Sequence, residues 1–541
     1  MSGKKSKGKK SISPSLPSET INEIFKKIDN QSTLYSCLFV NRFWCRSVVP
    51  ILWAKPNPLL FKTGSSKSLI ESYVSCFNQD ERRILFSNDE LSSVDDDFLH
   101  LPSPLFEYAA FLKELNYPVL RKAVRKCYKT LGNYEFSKKI KPKIPGLEVT
   151  RQATIMKALC KLFMRSSHLD SVILDSIDDI PAISIFTRSP SLANLSQLVV
   201  LINNESSNTS ILVKKLSVIC TGIRHLKIEL SVDDPSEAEN LSTLIRAQQS
   251  LLTFELTGFA PRINPILSAL ESQSSSLTFV KFNNTNYQWA SLDVLGKCTN
   301  LRTIEFHSED QKISQELTAK EITSTTVSGV SFSLRTLKLI NQTPKVASAV
   351  IKTGGSSLKS LWINTINTEV VQAILRSTTR IVHLYLDVAD IPEINIDNYL
   401  QLIHGLKLIN LRLSSINMKN LDALLTAMVK IVPSSLRHFE LEQDYSLPAL
   451  GEFLSNCPVP FNELSLFPNA AIDTEYLTTV LSFTKERKSL KYLHLNLSWE
   501  YGLATGKFTR DMDKEIQQCI YTINLDLLRC DYETPKKRIV T

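Results

Sequence analysis

Between residues 169 and 496, apolar and polar positions fall thirteen times into one frame, Leu-x-x-Leu-x-Leu, with other apolar residues substituting for Leu. The frames read LDSVIL at 169, LSQLVV at 195, IRHLKI at 223, LLTFEL at 251, LTFVKF at 277, LRTIEF at 301 and LRTLKL at 334. LKSLWI at 358, IVHLYL at 381, LINLRL at 408, LRHFEL at 436, FNELSL at 461 and LKYLHL at 490 complete the series. Most successive starts lie roughly 25 residues apart, a period typical of stacked repeats. Side chains alternate along a strand, so the second and third apolar residues of a frame point into a core and the residue between them points outward. One such unit cannot bury its own apolar side. Neighbours must stack and share a continuous core.

This frame and its spacing resemble leucine-rich repeats, each a short strand plus a helical or irregular return. The resemblance implies an α/β leucine-rich-repeat solenoid over 153–530, a horseshoe of parallel strands with helical returns. ATIMKALCKLFMR at 153–165 reads as the return helix before the first strand, and MDKEIQQCIYTINLDLL at 512–528 as an atypical closing unit. Thirteen strands at about 4.8 Å spacing give a sheet roughly 60 Å long. Solenoids use such extended concave faces for binding.

The outward positions read Ile173, Val199, Lys227, Glu255, Lys281, Glu305, Lys338, Trp362, Tyr385, Arg412, Glu440, Ser465 and His494. Most are charged, as expected of a solvated face. Trp362, Tyr385 and Arg412 stand out, because three consecutive repeats place residue types enriched in binding hot spots in one row. Asn364 and Asp387 follow two residues on along two of the same strands. These five are the candidate substrate-binding residues, suited to a target with an acidic or phosphorylated group beside an apolar one. The competing reading is that Trp362 and Tyr385 merely pack on each other.

Ahead of the repeats, residues 15–58 have helical spacing. Ile21, Ile24, Phe25 and Ile28 mark one apolar face of a helix starting near Pro17. Ser32 is the expected cap of a second helix with Leu34, Cys37 and Leu38, and a third begins around Arg42. Forty residues make a small and marginal core. LPSETINEIFKKI followed by LYSCLFVNRFWCRSVVPILW resembles the F-box. The match lies in Leu16-Pro17, Val40-Asn41-Arg42, Trp44 and Leu52-Trp53, in order, although the Asp29–Thr33 connection is short. The resemblance implies a substrate-recognition subunit of an SCF-type cullin–RING ubiquitin ligase. Its expected partners are the SCF adaptor subunit, the cullin scaffold and an unknown protein substrate. The adaptor-binding residues it implies are Leu16, Pro17, Ile24, Phe25, Leu38, Val40, Trp44, Leu52 and Trp53. A leucine-rich-repeat scaffold or inhibitor with an F-box-like cap is the alternative, and a nucleic-acid-associated binding protein a further one.

Residues 59–152 read as a helical linker and N-terminal cap, with FEYAAFLKELNYPVLRKAVRKCYKTL at 106–131 helical in period. Residues 1–14 and 531–541 read as basic tails. Five lysines in the first and Lys536, Lys537 and Arg538 in the second carry eight positive charges; with these set aside the formal +9 falls to about +1, a nearly neutral body. Such a body argues against an extended nucleic-acid face. No apolar run of about 18 residues or secretory leader is evident, so no membrane role is expected. The expected location is cytoplasmic, nuclear or both. The ten cysteines form no metal-ligand spacing and read as reduced, buried side chains. Cys220, Cys298 and Cys457 sit just before repeat strands, where a small apolar group packs well. No nucleotide, nucleophile-elbow or zinc-protease motif occurs. The reading is therefore of a non-enzyme with no cofactor and no metal.

Overall fold

The computed structural model describes residues 17–55, 65–86, 98, 100–136, 147–177, 179–203, 207–231, 234–258, 264–285, 293–308, 333–388, 395–415, 418–443, 445–468, 474–486, 489–495 and 523–525. The tails at 1–14 and 531–541, and most of the expected closing unit, lie outside these residues. The chain divides into two compact units, 1–226 with 247–249, and 227–246 with 250–541.

The first unit opens with three helices, α1 (Ser18–Lys27), α2 (Gln31–Cys37) and α3 (Arg42–Ala54). Asn30 caps α2, its side chain accepting from the Thr33 N–H at 3.1 Å. Ser32, the expected cap, lies inside that helix; Asn is an equally good acceptor and stands two residues earlier. Asn41 caps α3 in the same way, accepting from Trp44 N–H at 2.8 Å. Helices at Ser65–Ser75, Gln79–Phe86, Tyr117–Phe136 and Leu147–Ser166 follow. The expected continuous helix at 106–131 is interrupted. A strand, β1 (Glu114–Asn116), precedes the helix that starts at Tyr117, with Pro118 in its first turn. β1 pairs in parallel with β2 (Ser171–Asp175), and β2 with β3 (Gln197–Ile202). Cross-strand pairing thus overrides the local helical spacing.

β4 (His225–Leu230) carries the boundary between the units. In the second unit the strands are β5 (Thr253–Thr257), β6 (Phe279–Asn283), β7 (Thr303–His307), β8 (Thr336–Ile340), β9 (Ser360–Ile363) and β10 (His383–Val388). β11 (Asn410–Ser415), β12 (His438–Gln443), β13 (Glu463–Pro468), β14 (Tyr492–Leu495) and β15 (Ile523–Leu525) continue them. Each pairs in parallel with the next in chain order. Return helices such as Pro344–Gly354, Thr368–Ser377 and Ile396–Gly405 join them. This is a leucine-rich-repeat solenoid, and the thirteen frames fall on β2 to β14.

The apolar positions of the frames are the core. Leu358, Leu361 and Ile363 of one repeat and Ile381, Leu384 and Leu386 of the next are each at most 1% exposed. Register is fixed by a repeated device at the strand entrance, where one carbonyl accepts two successive N–H groups of the next repeat. Arg335 O accepts from Lys359 and Ser360, and Lys359 O from Val382 and His383. Buried glutamines close some returns. In the first unit Gln248 accepts from Ile223 N–H and donates to Cys220 O, at 2.9 and 3.0 Å. In the second unit Gln273 accepts from Leu251 N–H and donates to Ile245 O, at 3.1 and 3.0 Å. Close approach of adjacent returns explains Gly355, whose Cβ would stand 2.6 Å from Ser377 O.

Candidate protein-binding surfaces

The three-helix module folds around Phe25, Leu34, Cys37 and Val48, with Ile21, Ile28, Leu38, Trp44, Ile51 and Leu52 packed against them. Phe25 meets Trp44 edge-on at 5.0 Å. Trp53 turns to the following segment and packs on Tyr73 and Tyr108, at 5.3 and 4.4 Å between rings. Five large apolar side chains stay outside: Ile24, Tyr35, Phe39, Val40 and Phe43, with Phe39 73% exposed. Tyr35 and Phe39 touch edge-on at 5.3 Å.

Of the nine residues expected to face an adaptor, Pro17, Ile24 and Val40 are exposed. Leu16 lies outside the described residues. Phe25, at 2% exposure, belongs to the module's own core. Leu38, Trp44 and Leu52 are half-buried against that core, and Trp53 against Tyr73 and Tyr108. Tyr35, Phe39 and Phe43 are absent from the expected set. The spacing holds a signal for Tyr35, since Leu34 and Cys37 claim the inner face of α2 and leave it on the outer one; Phe39 lies in the turn after that helix and Phe43 in the first turn of α3.

In the second unit the outward positions form one row in register, from Glu255 on β5 to His494 on β14. Its charges pair along the row. Glu305 is approached by Lys338 at 2.8 Å, His307 at 3.2 Å and Lys281 at 3.9 Å. Burial pushes the Glu305 carboxyl up, but the His307 imidazole and the Lys338 ammonium beside it outweigh this and hold the group down at about 2. Trp362 and Tyr385 stack, with centroids 4.0 Å apart and planes 24° from parallel. Lys338 Nζ lies 4.6 Å from the Trp362 ring centre and Arg412 Cζ 5.2 Å from it, so the aromatic pair is flanked by cations.

Arg412 is itself engaged, with Glu442 and, at 3.7 Å, with Glu440. An anionic target would have to displace those carboxylates. Asp387 is exposed and accepts from Ser414 Oγ at 3.2 Å; partial desolvation on the crowded face raises its carboxyl. Asn364 serves the fold. Its Oδ1 accepts from Asn341 N–H at 2.8 Å and its Nδ2 donates to Asn341 Oδ1 at 2.5 Å. That holds Asn341 at φ 54°, a left-handed conformation asparagine tolerates. Asn364 is therefore a poor rim contact.

Beside Tyr385 and Arg412 the strand face dips into a groove of about 450 Å³. Its walls also carry His383, Asn410, His438, Glu440, Glu463 and Ser465, with Ile409, Leu411 and Phe439. Glu463 lies between two histidines, 2.8 Å from His438 Nδ1 and 3.1 Å from His494 Nε2. The hydrogen bond from His438 and the His494 imidazole beside it hold its carboxyl well below the usual range. Burial, then repulsion from His438, pulls the His383 imidazole down, which favours its neutral form. The shared strand position of His383 and His438 is visible in the sequence. Their groove is not: Glu463 shares that frame position one repeat on and Glu440 follows two residues after His438 on the same strand, but nothing in the frame shows that the face dips there.

Among the described residues no three His, Cys, Asp or Glu side chains converge as metal ligands. Burial pushes the thiols of Cys127, Cys160 and Cys220 up to about 12 and that of Cys298 to about 11. Among the described residues no helix is long and apolar enough to cross a membrane.

No family model and no curated protein matches the chain. Among solved structures it is similar to the leucine-rich repeat-containing protein LegL7 of Legionella pneumophila. That likeness has a TM-score of 0.36 and 12% identity, over 55% of this chain and 88% of the other.

Proposed function

We propose that this protein is a recognition subunit of an SCF-type ubiquitin ligase, in which the N-terminal module docks on the adaptor and the repeats bind a protein target. The observation that carries the reading is a three-helix module complete around its own core that still leaves Ile24, Tyr35, Phe39, Val40 and Phe43 in solvent. Burying such side chains is worth roughly 1.5–3 kcal/mol each, enough for firm docking. The F-box resemblance of the same segment supplies the partner's class. The repeat face then holds the target, and the chain makes no covalent bond itself. Its contribution is proximity, a raised local concentration of target lysines beside the charged conjugating enzyme. The raised thiols of the buried cysteines support a non-enzymatic role, since the thiolate is the nucleophile. Such a subunit would work in the cytoplasm, the nucleus or both.

The test is affinity purification of the full chain from cells with cullin activation blocked, followed by mass spectrometry. Adaptor and cullin in near-equal amounts are expected. A single stable partner without either would put a repeat scaffold or inhibitor in its place, and nuclease-sensitive partners a nucleic-acid role.

A further inference from the structure

Proximity alone does not say what chemistry a target must present; the groove beside Tyr385 does. We infer that this groove receives a cationic side chain, an arginine or lysine, of the protein target. The inference rests on the repeat face being the target-binding surface.

Charge is the first argument. The groove wall carries two carboxylates, Glu440 and Glu463, against one guanidinium, Arg412, and two imidazoles: His383, which burial favours in its neutral form, and His438, which pairs with Glu463. That guanidinium is engaged by Glu440 and by Glu442, which lies two residues further along β12. Counting Glu442, two carboxylates engage the one fixed cation, and a third, Glu463, lies between His438 and His494. The three carboxylates and Arg412 are 18–25% exposed, so water screens them incompletely. Shape is the second argument. A volume of about 450 Å³ takes a long side chain with part of its backbone, whereas a flat charged face takes neither. Surface chemistry is the third. Tyr385 lines the groove and is braced by Trp362 stacked on it, which gives a fixed aromatic wall for a guanidinium or ammonium. Arg412 thus acts as a charge that positions Glu440 and Glu442, and it is not the receptor for an acidic or phosphorylated residue. That reverses the expectation drawn from its residue type.

The experiment is selection of a displayed library of random twelve-residue peptides on the immobilised full-length protein. The wild type is compared with Glu440→Gln/Glu442→Gln and with Glu463→Gln, each checked for folding by circular dichroism. On the wild type, enriched peptides should carry Arg or Lys at one fixed position beside an apolar residue. Glu463→Gln should reduce their binding at least tenfold. Glu440→Gln/Glu442→Gln unpairs Arg412 and should shift enrichment towards Asp and Glu. Acidic peptides enriched on the wild type would overturn the inference while leaving the face as a binding surface. So would a cationic pool unchanged in both variants. No enrichment on the wild type above a Trp362→Ala/Tyr385→Ala control would overturn the inference together with the reading of the face.

Discussion

The N-terminal module and the strand face of the second unit handle unmatched groups in opposite ways. The module buries a small core and leaves large apolar side chains in water, which nothing within the module satisfies. The strand face carries many charges and aromatic rings, yet those groups largely satisfy one another. Glu305 is met by Lys338, Lys281 and His307, Trp362 by Tyr385, Arg412 by Glu440 and Glu442, and Glu463 by two histidines. Residue type alone therefore does not tell whether a side chain is free to meet a partner. An exposed Phe39 signals an interface more strongly than a well-placed arginine whose charge is already used.

That contrast can be broken most forcefully in the module. Phe25→Ala removes its largest core side chain and should cost about 3–5 kcal/mol, more than so small a core withstands. Hydrogen exchange across α1, α2 and α3 of the full chain should then rise to unfolded rates. Phe39→Asp/Phe43→Asp should leave exchange unchanged and abolish adaptor capture. Equal protection in the Phe25→Ala protein would mean that the module is held from outside rather than by its own core.

The next effect belongs to the face. Trp362→Ala removes a stacked ring and its contacts with Lys338 and Arg412, for a loss of about 2–3 kcal/mol. Chemical denaturation of the full chain should show it as a lower midpoint for the repeats. A midpoint equal to that of the wild type would mean that the stack is incidental.

A smaller and pH-dependent effect sharpens the electrostatic half of the comparison. The Glu305 carboxyl is depressed in the folded state to about 2, against about 4.3 when unfolded. Its stabilisation is therefore fully present above about pH 4.3 and is lost as pH falls towards 2. Glu305→Gln should lower the melting temperature at pH 7, with the gap to wild type closing as pH drops through that window. A gap constant from pH 7 to pH 3 would show that the carboxylate charge contributes nothing.

The range of each interaction decides what is legible in the sequence. All thirteen repeat strands are readable because periodicity is local: apolar residues at alternate positions need no knowledge of the rest of the chain. β1 is not, since Glu114, Leu115 and Asn116 have no strand pattern and gain their conformation by pairing with β2, which follows only after two long helices. The row holding Trp362, Tyr385 and Arg412 is readable from register, and the stack is there. The engagement of Arg412 is only half readable: register sets Glu440 beside it, but Glu442, its second partner, lies two residues beyond the row on β12. Asn364 reads as a rim residue because the left-handed turn at Asn341, which it holds, leaves no mark in the sequence pattern.

The central claim is that one chain carries two separable docking surfaces, an apolar one for an adaptor and a charged, aromatic one for a target. Calorimetric titration of the purified full-length protein with purified SCF adaptor tests it most directly. Wild type and Trp362→Ala should bind with the same affinity, and Phe39→Asp/Phe43→Asp should bind at least a hundredfold more weakly while remaining folded. Undetectable binding by the wild type, or undiminished binding by the double variant, would contradict that division.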